Sequence, residues 1–215
     1  MSHRKVMRKD RVIRIENGKK SYDGRVIWEN LNLTFSESGI YCLMGPSGQG
    51  KTTLLRCLAG LETLDGGTIH GLSDARISMV FQEDRLIPEL TAAANLKLVG
   101  VKEPLPWLRE ILPEECLAQP VSTFSGGMKR RAAVARAMAV PSAILLMGEP
   151  FSGLDERTRD EVISYILRYR GDRMLLLTTH EPEDVEKLGA ECVRMDKLSS
   201  GNASKRENPQ KNEEN

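Results

Sequence analysis

The sequence predicts an α/β domain with a mainly parallel central sheet that helices cover on both faces. Three short, largely apolar segments alternate with helical segments, and such segments are typical of strands buried on both faces. A glycine-rich turn joins the first of them directly to a helix. The three predicted buried strands are residues 40–44, 143–147 and 173–178.

The N-terminal elements follow from the apolar periodicity. Alternating apolar residues at 12–16 and 26–35, bounded by Gly18 and Gly24, predict the strands of an antiparallel unit. Leucines at helical spacing predict a helix over 51–59, directly after the glycine-rich turn. Two further short strands are predicted at 68–70 and 76–81.

The second half of the chain is mostly helical. Prolines punctuate a predicted helical segment at about 85–140, whose strongest helix is the alanine-rich stretch 127–140. Helices at 156–170 and 183–188 follow the second and third buried strands. Residues 197–215 are almost devoid of apolar side chains and predict a disordered polar tail, or alternatively a solvated helix end.

Length and charge restrict the class of protein. The 215 residues, of which 40% are hydrophobic, have an ordinary globular composition. This length predicts one domain, over residues 1–196, without room for a second full domain. The 31 basic residues nearly balance the 30 acidic ones, so the net charge of +1 gives no argument for nucleic-acid binding.

The sequence also predicts where the protein works. Its longest apolar runs, 143–147 and 174–177, are far shorter than the roughly 18 residues that cross a bilayer. The basic N-terminus lacks the apolar stretch of a secretory signal. The cysteines lack metal-ligand spacing, so free thiols in the cytoplasm are expected. They are Cys42, Cys57, Cys116 and Cys192.

A phosphate-binding loop lies between the first buried strand and its helix. Residues 45–52 fit the pattern G-x-x-x-x-G-K-[ST], in which backbone N–H groups and a helix N-terminus bind phosphate oxygens. Lys51 would reach the β- and γ-phosphates, and Thr52 would place its hydroxyl on Mg²⁺. The alternative is a glycine-rich turn with an exposed lysine. The predicted ATP-binding residues are Gly45, Pro46, Ser47, Gly48, Gln49, Gly50, Lys51, Thr52 and Thr53.

Five short motifs follow this loop in a fixed order: Gln82, Ser125-Gly126-Gly127-Met128-Lys129, Glu149-Pro150, Ser152-Gly153-Leu154-Asp155 and His180. Together they resemble the nucleotide-binding subunit of ATP-binding cassette (ABC) transporters, over residues 11–195. The resemblance implies a P-loop NTPase of the ABC type. Such a fold has a mainly parallel core sheet, an N-terminal antiparallel β subdomain and an inserted helical subdomain.

The motif at Ser125 predicts a second phosphate site, remote from the first. A serine and two glycines at a helix start offer a hydroxyl, accessible N–H groups and positive potential. In the ABC family two cassettes pair head to tail. The resemblance therefore implies that Ser125, Gly126 and Gly127 bind the ATP of the other cassette, and that Asp155 contacts that cassette across the dimer. The alternative is a serine N-cap whose glycines serve only a tight turn.

The resemblance also implies the catalytic residues. Glu149 would be the general base for the attacking water, His180 would sense the γ-phosphate, and Gln82 would contact Mg²⁺ or the water. From the residues alone, Glu149 could instead be a structural ion-pair partner, and His180 a hydrogen-bonded structural residue.

Tyr22, 23 positions before the loop, matches the aromatic residue on which the family stacks adenine. The alternative is an exposed tyrosine in a turn. Trp28 provides a second aromatic ring nearby.

Gly148 departs from the family pattern. In the family an aspartate that supports the Mg²⁺ shell precedes the catalytic glutamate. Loss of such a carboxylate typically costs about 10- to 100-fold in metal affinity or activity. We therefore predict that ATP binds while its hydrolysis is slowed, unless another oxygen ligand substitutes.

The predicted function is an ATP-binding and ATP-hydrolysing subunit that powers a separate membrane permease. It would pair with a second copy or a paralogous cassette, work with a substrate-binding protein, and lie peripherally on the inner face of the cell membrane. Segments 80–91 and 149–155 resemble nitrate, sulfonate and taurine importers. The permease would dock near residues 86–98, whose apolar side chains also suit a plain core. The alternatives are a nucleotide-gated module that hydrolyses ATP slowly and a soluble ABC ATPase without a transport role.

Overall fold

The computed structural model describes residues 12–195, and no helix within them is long and apolar enough to cross a membrane. The predicted polar tail at 197–215 lies outside the described residues. The strands are β1 (Val12–Tyr22), β2 (Arg25–Ser36), β3 (Ile40–Met44), β4 (Gly66–His70), β5 (Ile77–Val80), β6 (Ile144–Met147), β7 (Met174–Thr178) and β8 (Glu191–Arg194). The helices are α1 (Lys51–Leu58), α2 (Ala92–Leu98), α3 (Leu105–Arg109), α4 (Gly126–Ala139), α5 (Glu156–Arg170) and α6 (Pro182–Leu188), with 3₁₀ turns at Glu114–Cys116 and Val121–Thr123.

Two sheets organise the chain. The parallel sheet has the order β5-β6-β7-β3-β8, and the antiparallel sheet has the order β2-β1-β4. The predicted parallel core sheet and N-terminal antiparallel unit are therefore confirmed. Strand β7 lies between β3 and β6, and all three run in the same direction. The loops that follow these three strands consequently meet at one edge of the sheet.

Side chains of the central strands alternate between two apolar cores. Leu145 and Leu175 pack with the helical segment between β5 and β6, whereas Leu146 and Leu176 pack with α1 and the antiparallel sheet. Because both faces are covered, these strands need no polar positions. This explains why they are continuous apolar runs in the sequence. The predicted boundaries of the helical subdomain and of the domain stay predictions.

Two elements differ from the sequence expectation. Gly18 does not end the first strand, because β1 continues through it to Tyr22 with register shifts against β2. Strand β8 was not predicted at all. It has only four residues and pairs at the edge of the parallel sheet with β3, so its sequence (ECVR) lacks a continuous apolar run.

Candidate functional site

The phosphate loop is tightly packed against the antiparallel sheet. Gly48 and Gly50 both have φ of +81°, a left-handed conformation that favours glycine. A Cβ on Gly50 would also overlap the Trp28 indole and the side chain of Ile27. Glycine is thus required here by the left-handed backbone and by the close approach of the loop to Trp28 and Ile27. The loop leads directly into the N-terminus of α1.

Lys51 is the buried cation of this loop. Its ammonium group donates hydrogen bonds to the carbonyl oxygens of Gly45 (2.6 Å) and Pro46 (2.9 Å). Burial lowers the pKa of Lys51, and the nearby Glu149 carboxylate opposes that shift. A phosphate anion in the loop would provide a stronger counter-charge than two carbonyl dipoles. The loop therefore favours an anionic ligand.

A cavity of about 260 Å³ joins most of the predicted site residues. The phosphate loop forms one wall, and the residues that follow β5, β6 and β7 form the other. The lining residues are Ile27, Ser47, Gly48, Gly50, Lys51, Thr52, Thr53, Gln82, Glu149 and His180. A larger open groove of about 610 Å³ lies along α5 beside Glu110 and contains none of the predicted residues.

Glu149 and His180 form a pair at the edge of the parallel sheet. The His180 Nε2 atom lies 3.4 Å from the Glu149 Oε1 atom. Glu149 has a left-handed backbone with φ of +47°, and its N–H donates to the Thr178 hydroxyl oxygen at 2.8 Å. The site thus holds a carboxylate and an imidazole beside the phosphate loop, two groups that can take part in general acid–base catalysis.

Gln82 is attached to helix α4 through its backbone. Arg130 donates to the carbonyl oxygens of Phe81 (2.8 Å) and Gln82 (2.5 Å), and it forms an ion pair with Asp84 at 3.3 Å. One turn and a half further along α4, Arg136 donates to the carbonyl oxygens of Asp84 and Arg85. Two arginines therefore fix the Gln82 loop to the helix that begins at Ser125.

The predicted second phosphate site does not line this cavity. Ser125 is the N-cap of α4 and its hydroxyl accepts from the Met128 N–H at 3.2 Å. Asp155 is the N-cap of α5, and hydrogen bonds from Thr158 lower the pKa of its carboxyl group. A Cβ on Gly127 would lie 3.2 Å from Leu154, so the two helix starts pack together. Ser125 is thus an N-cap, as its alternative interpretation states, and neither helix start lines the cavity that contains Lys51.

Comparison with known proteins identifies the family. The family described as "ABC transporter" matches residues 28–152, which is more than half of the chain and includes the loop, Gln82, the Ser125 motif and Glu149. The chain belongs to this family. It is 36% identical, over 82% of its length and 73% of the relative's, to the aliphatic sulfonates import ATP-binding protein SsuB 2 of Agrobacterium fabrum. It is 34% identical, over 88% of its length and 68% of the relative's, to the Nod factor export ATP-binding protein I of Paraburkholderia xenovorans.

Solved structures confirm the ABC-type fold. The ATP-binding cassette MJ0796, in a dimeric post-hydrolysis state bound to ADP and phosphate, superposes with a TM-score of 0.78 at 26% identity. That match covers 91% of this chain and 98% of the cassette. This ABC protein is an ATP-binding and ATP-hydrolysing subunit that powers transport through a membrane permease.

The structure distinguishes the two aromatic rings near the loop of this ABC subunit. Trp28 is 1% exposed beneath Gly50, whereas Tyr22 is 41% exposed. The Tyr22 hydroxyl bonds to Glu62 and interacts with Thr53 of α1, next to the cavity. The Lys20 ammonium lies 5.0 Å from the Tyr22 ring centroid. Of the two rings, only Tyr22 is accessible to a ligand base.

Gly148 is tightly confined in this ABC subunit. Its N–H donates to the Val80 carbonyl oxygen at 2.8 Å, and a Cβ on it would lie 3.2 Å from the Gln82 backbone nitrogen. A side chain there would press on the Gln82 loop by a few tenths of an ångström. A side chain at position 148 would therefore have two separate effects: it could supply the missing carboxylate, and it would press on the backbone that follows β5.

We expect Gly148→Asp to hydrolyse Mg-ATP faster than the wild-type subunit, by about 10-fold, because a metal-supporting carboxylate typically contributes about 10- to 100-fold. Gly148→Asn is the matched control, since it adds the same bulk without the charge. Phosphate release at limiting Mg²⁺, with the permease bound, measures the effect. Equal rates for wild type and Gly148→Asp, or equal rates for Asp and Asn, would contradict this expectation.

Sequence reasoning missed several residues that shape the site: Ile27, Arg130, Arg136 and Thr178. Arg130 and Arg136 carry a weak signal, because both are charged residues in an alanine-rich helix with many buried positions. Thr178 likewise ends a strand whose other residues are all apolar.

Proposed function

We propose that this chain hydrolyses ATP in the 260 Å³ cavity and thereby drives import of an organic sulfonate or a related oxyanion through its permease. The observation that carries this proposal is the shared cavity, in which Lys51, Glu149 and His180 come together from three separate strands. A merely structural ion pair between Glu149 and His180 would not require a phosphate loop as the opposite wall.

The residues supply the hydrolytic step as follows. Lys51 and the loop N–H groups bind the β- and γ-phosphates, and the exposed Tyr22 ring stacks on adenine. The Glu149 carboxylate accepts a proton from water, whose oxygen bonds to the γ-phosphorus while the bond to the β,γ-bridging oxygen breaks. ADP and inorganic phosphate are the products. His180, beside Glu149, would contact the γ-phosphate.

The oxygen donors in the cavity fit Mg²⁺. The Thr52 hydroxyl and the Gln82 side chain line the same space as Lys51, and Mg²⁺ prefers a few protein oxygens together with phosphate oxygens and waters. When bound, Mg²⁺ would neutralise negative charge on the transferring phosphoryl group. The carboxylate that Gly148 lacks would have oriented this shell from outside.

A second cassette completes the site in our proposal. Ser125, Gly126 and Gly127 lie at a helix N-terminus away from the chain's own cavity, so they are free to approach the γ-phosphate held by another cassette. Asp155, at the adjacent helix start, would contact that cassette as well. Because Gly127 packs closely against Leu154, the two helix starts are parts of one surface.

The permease would dock on the segment around α2. Ala92 and Leu96 of this segment are buried in the core, but Ile87, Leu98 and Val99 are 44%, 62% and 46% exposed. This apolar surface is continuous in the chain with Gln82, because residues 81–91 connect β5 to α2. Docking would place the subunit at the cytoplasmic face of the membrane, with a substrate-binding protein on the far side.

Co-purification followed by transport tests this proposal. A tagged chain should capture a multi-span membrane protein from its native host. The complex, reconstituted in liposomes that contain Mg-ATP on the side of this subunit, should take up labelled ethanesulfonate, and its ATPase rate should rise when the substrate-binding protein and sulfonate are added.

The controls separate the parts of the proposal. Glu149→Gln in the same complex should abolish transport without releasing the permease. Sulfate and molybdate, offered in place of ethanesulfonate, test the oxyanion choice. If only sulfate or molybdate raised the ATPase rate, the sulfonate assignment would be contradicted. Movement of sulfonate in the opposite direction would contradict import. Failure to capture a membrane protein would contradict the permease partner.

A further inference from the structure

Two adjacent threonines lie at the end of the third buried strand: Thr178 is the last residue of β7, and Thr179 follows it and precedes His180. Both are buried, and Thr178 is only 2% exposed. Strand β7 is otherwise Met-Leu-Leu-Leu, and a valine at position 178 would fill nearly the same volume as threonine. Packing therefore gives no reason for a hydroxyl at this position.

The Thr178 hydroxyl has a specific partner. Its oxygen accepts a hydrogen bond of 2.8 Å from the backbone N–H of Glu149, which belongs to the neighbouring strand-end. Glu149 is held with φ of +47°, a left-handed conformation that is uncommon for residues other than glycine and persists only where the surroundings enforce it. The preceding N–H, of Gly148, is bound to the Val80 carbonyl oxygen.

These two hydrogen bonds fix the turn from opposite sides. Gly148 is held to β5 and Glu149 is held to β7, so the peptide between them has a single orientation. That orientation directs the Glu149 side chain into the cavity, 3.4 Å from His180. Without an acceptor at position 178, the Glu149 N–H would lose its partner and the backbone would be free to leave the left-handed region.

Thr179 secures the other member of the pair. Its hydroxyl donates to the Asp184 carboxylate on α6 and accepts the N–H of Glu181 at 3.1 Å. Thr179 therefore connects the short segment that carries His180 to α6 and to the backbone of Glu181. Burial raises the pKa of Asp184, and the hydrogen bond from Thr179 and the Arg159 guanidinium oppose that shift. The turn that carries Glu149 and the segment that carries His180 are therefore each held by a threonine hydroxyl at the end of this strand.

We propose that Thr178 is a positioning residue for ATP hydrolysis: its hydroxyl holds the Glu149 backbone in the left-handed conformation that aims the carboxylate into the nucleotide cavity. This inference rests on the proposed role of Glu149 as the base. Thr178 does not line the nucleotide cavity, so its loss should alter the rate of the chemical step and leave ATP binding unchanged.

The test compares Thr178→Val with Thr178→Ser in the purified full chain. Displacement of a catalytic group by about 1 Å can cost on the order of 100-fold. We therefore expect Thr178→Val to lower kcat by about 10- to 100-fold, with KM and the ATP dissociation constant within about twofold of wild type. Thr178→Ser retains the acceptor and should restore most of the rate. Thr178→Ala, which lacks the hydroxyl and adds no bulk, should behave as Val does.

Ser78→Ala is the matched control. The Ser78 hydroxyl is also buried and donates to the Ala137 carbonyl oxygen at 2.8 Å, but it does not contact the cavity. This variant should keep the wild-type kcat. If the Val and Ala variants keep the wild-type kcat while Glu149→Gln is inactive, the inference about Thr178 fails and the proposed function stands. If Glu149→Gln is as active as wild type, both fail.

Discussion

Glu149→Gln is expected to lower the rate of ATP hydrolysis by about 10²- to 10⁴-fold, the usual contribution of a general base, while ATP still binds. Glutamine keeps the size of glutamate, so the left-handed backbone and the hydrogen bond to Thr178 should persist. An amide does not accept a proton from water at neutral pH. Phosphate release from the purified chain, measured beside ATP affinity by equilibrium titration, checks both statements.

The control for this variant is Glu183→Gln. Glu183 is an exposed carboxylate on α6 that does not line the cavity, so its neutralisation changes net charge by the same amount without touching the site. It should hydrolyse ATP at the wild-type rate. Equal rates for Glu149→Gln and wild type would remove Glu149 as the base, since no other property of the side chain changes.

Lys51→Met should weaken ATP binding by about 30- to 1000-fold, equivalent to about 2 to 4 kcal/mol, which is typical of removing one partner of a buried charge pair. Methionine retains the apolar stem, so the packing beneath the loop is preserved. The carbonyl groups of Gly45 and Pro46 would then face the cavity without their donor. Isothermal titration with ATP measures the loss.

The stability of the Lys51 variant is a second readout. Burial lowers the pKa of Lys51, so the folded chain binds this proton less tightly than the unfolded chain, and the charged lysine destabilises the free protein at neutral pH. Lys51→Met should therefore unfold in urea at the wild-type concentration or a higher one. Lys102→Met, at an exposed position away from the cavity, is the control. ATP binding by Lys51→Met at wild-type affinity would contradict the role of Lys51.

Features encoded by neighbouring residues were predictable from the sequence. The glycines of the phosphate loop are required by local φ values and by contact with the preceding sheet, so their spacing alone indicated the turn. The helix starts at Ser125 and Asp155 also depend on neighbouring residues, because in each case a side-chain oxygen accepts the N–H three residues on. The central strands were recognisable because burial on both faces leaves no polar positions.

Features that depend on distant residues were not predictable. Strand β8 exists because β3 presents an open edge to it, and its four residues carry no signal of their own. Arg130 reaches the Gln82 loop across 48 positions in the chain, and Thr178 reaches Glu149 across 29. Such partners become visible only when the sheet order is known.

The sequence by itself determined the chemistry of this protein: a loop for phosphate, a carboxylate and an imidazole at strand ends, and a serine at a helix start, all in the order of an ABC subunit. The tertiary structure decided how these groups are aimed. It buried Trp28 and left Tyr22 accessible, confined Gly148 against β5, and fixed Glu149 through Thr178. The physical reason is that residue types and local turns follow from short-range sterics and hydrogen bonds, whereas orientation depends on contacts between strands that are adjacent only in the folded sheet.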